Sequence, residues 1–449
     1  MGVTAPKDPT DQIDQALQAT LVPSLLKPHR DRNALSNEAH ARPPIPLSAP
    51  LAVTHLAVLS GEGTAEEDVA HVTALCEAQG AAPPVSGAKH YFGDLGTFYL
   101  KFERHTEFAT YTFLRPLPPE PLFKTTAIDA VPKTWLKDVN GELLAAAHLS
   151  ILSESAEAPS AETLGSIFGS QRYLGSLIGG GQARLWTDLR LHHDGFTRII
   201  LQNQGMADLQ LGRFVQHVLE IDTYRMMTLL SLPVAHQVTP RVSRAEARVT
   251  DLTERLHATA GFEDDKTILS ALTEISAELE SVASATSYRF AASRAYADLV
   301  QRRLTNLEES PVDGLETLGN FLRKRLTPAT ATFDAVARRH QSLAERVGRT
   351  SSLLRTKVDI ALEGQNKDLL ESMNRRAEQQ LALQQTVEGL SVVAISYYLI
   401  GLVAYAAKGL ETAGWLPFSA DVIAGMAVPL VGLAIWFGVR HIQRVLRTD

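Results

Sequence analysis

GLSVVAISYYLIGLVAYAA, residues 389–407, runs for 19 positions without a charged side chain. As a helix it would be roughly 28 Å long, close to the ~30 Å thickness of a hydrocarbon core. A second charge-free run, VIAGMAVPLVGLAIWFGV, occupies residues 422–439. Glu388 and Lys408 bracket the first run, and Asp421 and Arg440 the second. A helix buried in a soluble core is normally striped, whereas these two are apolar all round. A helix also satisfies its own backbone in lipid. The pair therefore reads as a two-span hairpin, 388–440, followed by a short basic tail, 441–449.

Charge sets its expected orientation. Arg375 and Arg376 precede the first run, and Arg440, Arg444 and Arg447 follow the second. The connecting loop carries Lys408 against Glu411 and Asp421. The positive-inside rule then puts both termini in the cytoplasm and the loop outside. Trp415 and Trp436 stand where an interfacial aromatic belt would put them.

Composition bounds the rest. The chain has 449 residues, net charge -7 and one cysteine. That is room for two or three domains. The charge gives no argument for a nucleic-acid partner, and a single cysteine excludes an internal disulfide framework or a multi-cysteine metal site. Cys76 follows Val72 by one helical turn and reads as a small core residue. Lys7, Asp8, Asp11 and Asp14 interrupt any apolar leader.

Residues 1–47 read as an extended segment containing Asn37-Glu38-Ala39-His40-Ala41-Arg42-Pro43-Pro44. This loop could hold an anion through Arg42, or contribute Glu38 and His40 to a metal, or simply dock by salt bridges. It has too few ligands for a metal site alone. From 48 to 210 the pattern is α+β or α/β. Strands are expected at 51–59, 97–103, 106–115, 143–152, 183–191 and 197–202. A helix is expected at 64–79, capped by Thr64 and Glu67. Turns at Arg104-His105 and Asp194-Gly195 make two hairpins, so the sheet should be mixed or largely antiparallel.

Three clusters in this region carry possible chemistry: Glu103, Arg104, His105 and Glu107; Asp188, His192, His193 and Asp194; and Gly179-Gly180-Gly181. None completes a recognised catalytic constellation. The glycines lack the Lys-Ser/Thr of a phosphate-binding loop. No enzyme activity and no cofactor are expected.

Residues 211–387 read as long helices. Pro233 is expected to end the first of them, and Pro328 a later one. One helix should then run from about Ala329 into the first span, with a seam of Leu362, Leu369, Met373, Leu383, Val387 and Leu390. Arg376 and Gln380 interrupt it, and polar residues in a coiled-coil seam often fix register or oligomer number. If that face lines an axis, Gln380, Gln384, Glu388, Ser391 and Tyr398 are the pore-lining candidates, and Lys408, Glu411 and Asp421 its outer loop. If not, the hydroxyls bond their own backbone.

The wording NEAHARP (37–43), FERHTEF (102–108), HHDGF (192–196), LEIDTYRMM (219–227) and QQTVEGLSVVAISYY (384–398) resembles a bacterial family of uncharacterised membrane-anchored proteins with a domain of unknown function. The resemblance covers nearly the whole chain and implies anchoring without an assigned activity. The layout of a cytoplasmic mixed-sheet domain, long helices and two C-terminal spans is also similar to CorA-type magnesium channels. That likeness implies a homo-oligomer around the first span, passing an inorganic cation. Those channels carry Gly-Met-Asn at the outer end of the span, where this chain has Tyr405-Ala406-Ala407-Lys408. Two functions are expected from these features: a homo-oligomeric ion channel or transporter, or a membrane-anchored interaction or regulatory protein without transport.

Overall fold

A largely apolar stretch bounded by turn residues, interrupted only by Thr54 and His55, dictates the central strand. LAVTHLAVL forms β1 (Leu51–Leu59), buried on both faces. Around it lie β2 (His90–Asp94), β3 (Tyr99–Arg104), β4 (Ala109–Pro116), β5 (Glu142–Leu152), β6 (Leu174–Ile178), β7 (Ala183–Thr187), β8 (Thr197–Asn203) and β9 (Ser310–Pro311). They make one mixed sheet in the order β2-β3-β4-β1-β5-β8-β7-β6-β9. β1 is antiparallel to β4 and β5, while β5 and β8 run parallel. The structure is a computed structural model, and it describes residues 29–32, 35–36, 43–61, 63–169, 172–258, 261–414 and 417–445.

The helices are α1 (Ala65–Ala78), α2 (Lys133–Lys137), α3 (Ala161–Phe168), α4 (Asp208–Leu229), α5 (Ser231–Ala258), α6 (Phe262–Asn306), α7 (Leu318–Thr412) and α8 (Ala420–Val445). Because strand side chains alternate between faces, the sheet has two cores. One face presents Leu51, Val53, Ala147, Leu149, Ile199 and Leu201 to Leu211, Val215 and Val218 of α4 and to Leu304 of α6. The other presents Leu56, Leu100, Phe102, Tyr111 and Phe113 to Val72, Leu75 and Cys76 of α1 and to Trp135 of α2. Burying each such side chain contributes about 1.5–3 kcal/mol. Cys76 is the core residue its spacing indicates, its thiol 3.3 Å from the Tyr91 hydroxyl.

The chain ahead of β1 crosses α4 at Gly212. A Cβ there would stand 1.7 Å from the Ile45 carbonyl oxygen, so glycine permits the crossing. The Leu47 amide donates to the Asp208 carbonyl at 3.0 Å, and the Ser48 hydroxyl donates to the Asp208 carboxylate.

Of the described residues, those within Met1–Ala258 and Ser270–Arg349 form one compact unit. Those within Thr259–Leu269 and Thr350–Asp449 form a second. In the second, Lys357 pairs with the buried Asp265 at 2.7 Å. From Leu362 to Leu390 every residue of α7 is exposed. α7 and α8 are each long and apolar enough to cross a membrane, and only 6% and 11% of their apolar windows are buried within the chain.

Several local expectations change. Three strands escape the sequence pattern: β2, β6 and the two-residue β9. Pro233 does not end a helix. The break falls at Leu230, and Pro233 takes the third position of α5, where a backbone N–H has no intrahelical acceptor to lose. Pro328 lies inside α7, and buried Leu322, Leu326, Ala329 and Phe333 on either side hold that helix together. Thr64 precedes α1, but its side chain caps nothing: its hydroxyl stands 3.3 Å from the Gly61 carbonyl and 3.5 Å from Asp68.

Candidate functional site

The polar groups of the sheet domain gather in three places, each assembled from elements distant in sequence. The first lies between the sheet and α4. β1 aims His55 at this face, where its Nδ1 meets the Thr112 hydroxyl at 2.8 Å and its Nε2 the Thr223 hydroxyl at 3.1 Å. Beside it β3 contributes Lys101 and Glu103, paired at 3.1 Å and both buried. Lys101 also donates to Gln216 Oε1 at 3.3 Å. Gln216 donates to Glu220, which pairs with Arg303 of α6. Ile45, Leu47 and Gly212 close a cavity of about 40 Å³ over this layer. That is room for a few waters, at roughly 10–15 Å³ each. Burial holds the His55 imidazole down at about 3, with the Lys101 charge adding to it. It is therefore neutral at pH 7 and serves as a fixed hydrogen-bond partner between β4 and α4.

The second lies on the opposite face. Arg104 Nε stands 3.0 Å from Asp68 Oδ2 of α1. One terminal nitrogen donates to the His105 and Phe108 carbonyls at 2.6 and 2.9 Å. The other donates to the Gly61 carbonyl and the Thr64 hydroxyl at 2.6 and 3.2 Å. A guanidinium has five N–H donors; the four terminal ones donate to protein oxygens, while Nε stands beside the Asp68 carboxylate as an ion pair. A hollow of about 510 Å³ opens beside it, lined by Gly63, Gly87, Lys89, Arg104, His105 and Thr106. Its terminal nitrogens are already taken by these protein oxygens and are not open to an anion there. In the same hairpin Glu107 pairs with Arg289 of α6 and accepts from the Tyr296 hydroxyl at 2.8 Å.

The third surrounds the His192–Phe196 turn. Asp188 accepts from the Arg190 amide at 3.1 Å and faces His192 Nε2 at 3.3 Å. Leu189 between them adopts φ 53°, and Arg225 donates to its carbonyl at 3.3 Å while holding Asp222 at 2.7 Å. His148 stacks on Phe196 with centroids 3.9 Å apart and meets the Thr54 hydroxyl at 2.9 Å. Burial holds His148 down at about 4, against the opposing charges of Asp194 and Asp129. Burial pushes the Asp194 carboxyl up, but the Phe196 amide and the Arg198 guanidinium outweigh it and keep it below the usual range. Gly179, Gly180 and Gly181 form the β6–β7 turn. The Gly179 amide donates to the Leu307 carbonyl at 2.9 Å, and a Cβ there would meet Met206 at 2.3 Å. Gly179 serves close packing, whereas Gly180 and Gly181 have open space around them and supply the positive φ, 66° and 93°, of the turn.

Among the described residues no group of three or more His, Cys, Asp and Glu side chains is placed to hold a metal ion. Glu38, His40 and Arg42 lie outside the described residues. Gln380, Gln384, Glu388, Ser391 and Tyr398 all stand exposed on α7. The Ser391 hydroxyl donates to the Val387 carbonyl at 2.9 Å, and Ser396 to Val392 at 2.7 Å. These hydroxyls are satisfied by their own helix. Glu411 accepts from the Ala420 amide at 3.0 Å and so fastens the start of α8, where Asp421 occupies the first turn. Lys408 is exposed near the end of α7.

His55, Asp68, Lys101, Arg289, Tyr296 and Arg303 gave no sequence signal, because each also meets a partner more than 30 residues away along the chain. The indirect signal was wording. FERHTEF, HHDGF and LEIDTYRMM contain the buried Glu103, Arg104, Glu107 and Asp222, together with Asp194, Glu220 and Arg225. Residues 27–446 match a family described as a protein of unknown function, DUF3422, and the chain belongs to that family. No curated protein and no solved structure matches it, so no matched structure stands behind the likeness to CorA-type channels.

Proposed function

We propose that this member of the DUF3422 family is a membrane-anchored interaction protein of the bacterial inner membrane. Its apolar C-terminal helices cross the bilayer, and its mixed-sheet domain works on the cytoplasmic side. One observation carries the reading: the apolar windows of α7 and α8 are 94% and 89% unburied within the chain, the complements of 6% and 11%. A core helix of a soluble protein would hide that surface, and lipid is the solvent that fits it. The charges agree, with Arg375, Arg376 and Arg440 at one end of the runs and a single Lys408 against Glu411 and Asp421 at the other. The sheet domain supports binding rather than chemistry. Its buried charges are paired with one another, and its two most buried histidines are held neutral.

Two measurements test this. The full-length protein should stay in the pellet after alkaline carbonate washing of membranes. A single cysteine at Lys408 (Lys408→Cys, with Cys76→Ser) should react with an impermeant maleimide from outside intact spheroplasts, whereas Arg375→Cys should react only after lysis. Release by carbonate, or labelling of both positions from outside, would overturn the reading.

A second reading, conduction of an inorganic cation along an axis built from α7, is favoured by Gln380, Gln384 and Glu388 standing exposed at four-residue spacing. It requires ion flux into protein-containing liposomes that falls in Glu388→Ala. No flux above empty liposomes leaves the anchored reading.

A further inference from the structure

We infer that residues 362–390 of α7 are a parallel self-association seam whose partner is a second copy of this chain. Positions 362, 366, 369, 373, 376, 380, 383, 387 and 390 advance in alternating steps of four and three. That is the 3.5-residue period of helices that supercoil left-handedly around one another. Leu362, Leu369, Met373, Leu383, Val387 and Leu390 supply six of these places, and all six side chains are exposed in the single chain. Of the charged residues in this stretch, Glu363, Lys367, Asp368, Glu371, Arg375, Glu378 and Glu388 fall off the seam, and Arg376 alone lies on it. A helix solvated all round would not sort its residues this way.

Chemistry selects the occupant. The seam's other members are Asn366, Arg376 and Gln380, and they are exposed. An amide side chain carries both a donor and an acceptor, so Asn366 and Gln380 can each pair with an identical amide at the same level. An apolar groove on an unrelated partner would bury them unpaired, and a buried amide without a partner is unfavourable. Only a copy of the same helix, parallel and unshifted, places Asn366 beside Asn366 and Gln380 beside Gln380. Arg376 cannot stack on its own copy without repulsion, and its long stem carries the guanidinium out of the seam to water. That layer weakens the pairing but penalises slipped registers, which would set the cation among leucines. The parallel direction rests on the membrane reading, because copies anchored by the same runs start α7 from one depth.

The test uses the full-length protein in native membranes with Cys76→Ser as background. Met373→Cys and Leu383→Cys lie on the seam, and Glu371→Cys and Glu378→Cys lie opposite it. Under a mild thiol oxidant the seam variants should give a band of twice the chain's mass, at least tenfold stronger than the opposite-face variants. Leu369→Glu with Leu383→Glu should abolish that band in the Met373→Cys chain and leave the circular dichroism of the sheet domain unchanged. Equal cross-linking from both faces overturns the seam. So does no cross-linking in carbonate-resistant protein, or an adduct whose mass is not twice that of the chain. A chain released by carbonate that still cross-links at Met373 sinks the anchoring and keeps the seam, so the two failures are distinguishable.

Discussion

Arg104→Met removes the guanidinium and leaves most of its volume. The carboxylate of Asp68, 1% exposed, then has no cation within reach, and the Gly61, His105 and Phe108 carbonyls each lose one donor. Breaking a buried pair by removing one partner costs about 3–5 kcal/mol. At roughly 2–4 °C per kcal/mol for a large domain, the unfolding midpoint should drop by about 6–20 °C, read by thermal denaturation of the purified protein in detergent. The pH dependence of the deficit carries a sign. Burial already raises the Asp68 carboxyl above its ordinary value, the Ser60 hydroxyl and the Arg104 charge opposing. Without Arg104 it rises further. A carboxyl whose folded value lies above its unfolded value gains stability as pH falls between the two. The deficit of the variant should therefore shrink from pH 7.5 to pH 5.5. Adding Asp68→Asn should recover part of the loss at pH 7.5. A midpoint within 2 °C of the parent, or a deficit that widens on acidification, would refute the account of this pair.

Glu107→Ala should cost about 2–4 kcal/mol in denaturant unfolding, because Arg289 loses its carboxylate and Tyr296 its acceptor; Glu107→Gln, which keeps the acceptor, should cost less. Gly212→Ala should destabilise by about 1–3 kcal/mol and speed proteolysis within residues 43–50, since the new methyl collides with the Ile45 carbonyl. His55 and His148 hold folded values of about 3 and about 4, below the ordinary 6.5. Their stability contribution is intact above pH 6.5. As pH falls, each costs up to ~1.4 kcal/mol per pH unit, because the unfolded chain takes the proton first. The midpoint should fall steadily from pH 7 to pH 4.5, and His148→Phe should flatten that slope by about one proton.

β1 and β5 were legible because apolar residues dominate runs of nine and eleven, broken only by Thr54 and His55 in the first and by Glu142, His148 and Ser150 in the second. β2 was not, since HYFGD is short, half-exposed and interrupted by Gly93. β9 consists of a serine and a proline and exists only through its pairing with Ser176 and Leu177. The prolines misled for a physical reason: a missing N–H is harmless in a first turn, as at Pro233, and affordable at Pro328 where packing on both sides pins the helix. The apolar runs at 389–407 and 422–439 needed no tertiary information. The buried charges were beyond reach, because sequence spacing says nothing about which strand aims Lys101 at Gln216, 115 residues away.

The closing strand of the sheet comes from far along the chain. β9 at Ser310–Pro311 covers β6, and Leu174 bridges to Glu316. Translation therefore delivers every strand before it reaches Gly389, roughly 80 residues later, which at ~5–20 residues per second leaves about 4–16 s. The ribosome hands over the whole sheet before the first apolar run is made. A nascent chain stalled just short of Gly389 should already present a protease-resistant sheet, so that the sheet folds without help from either apolar run.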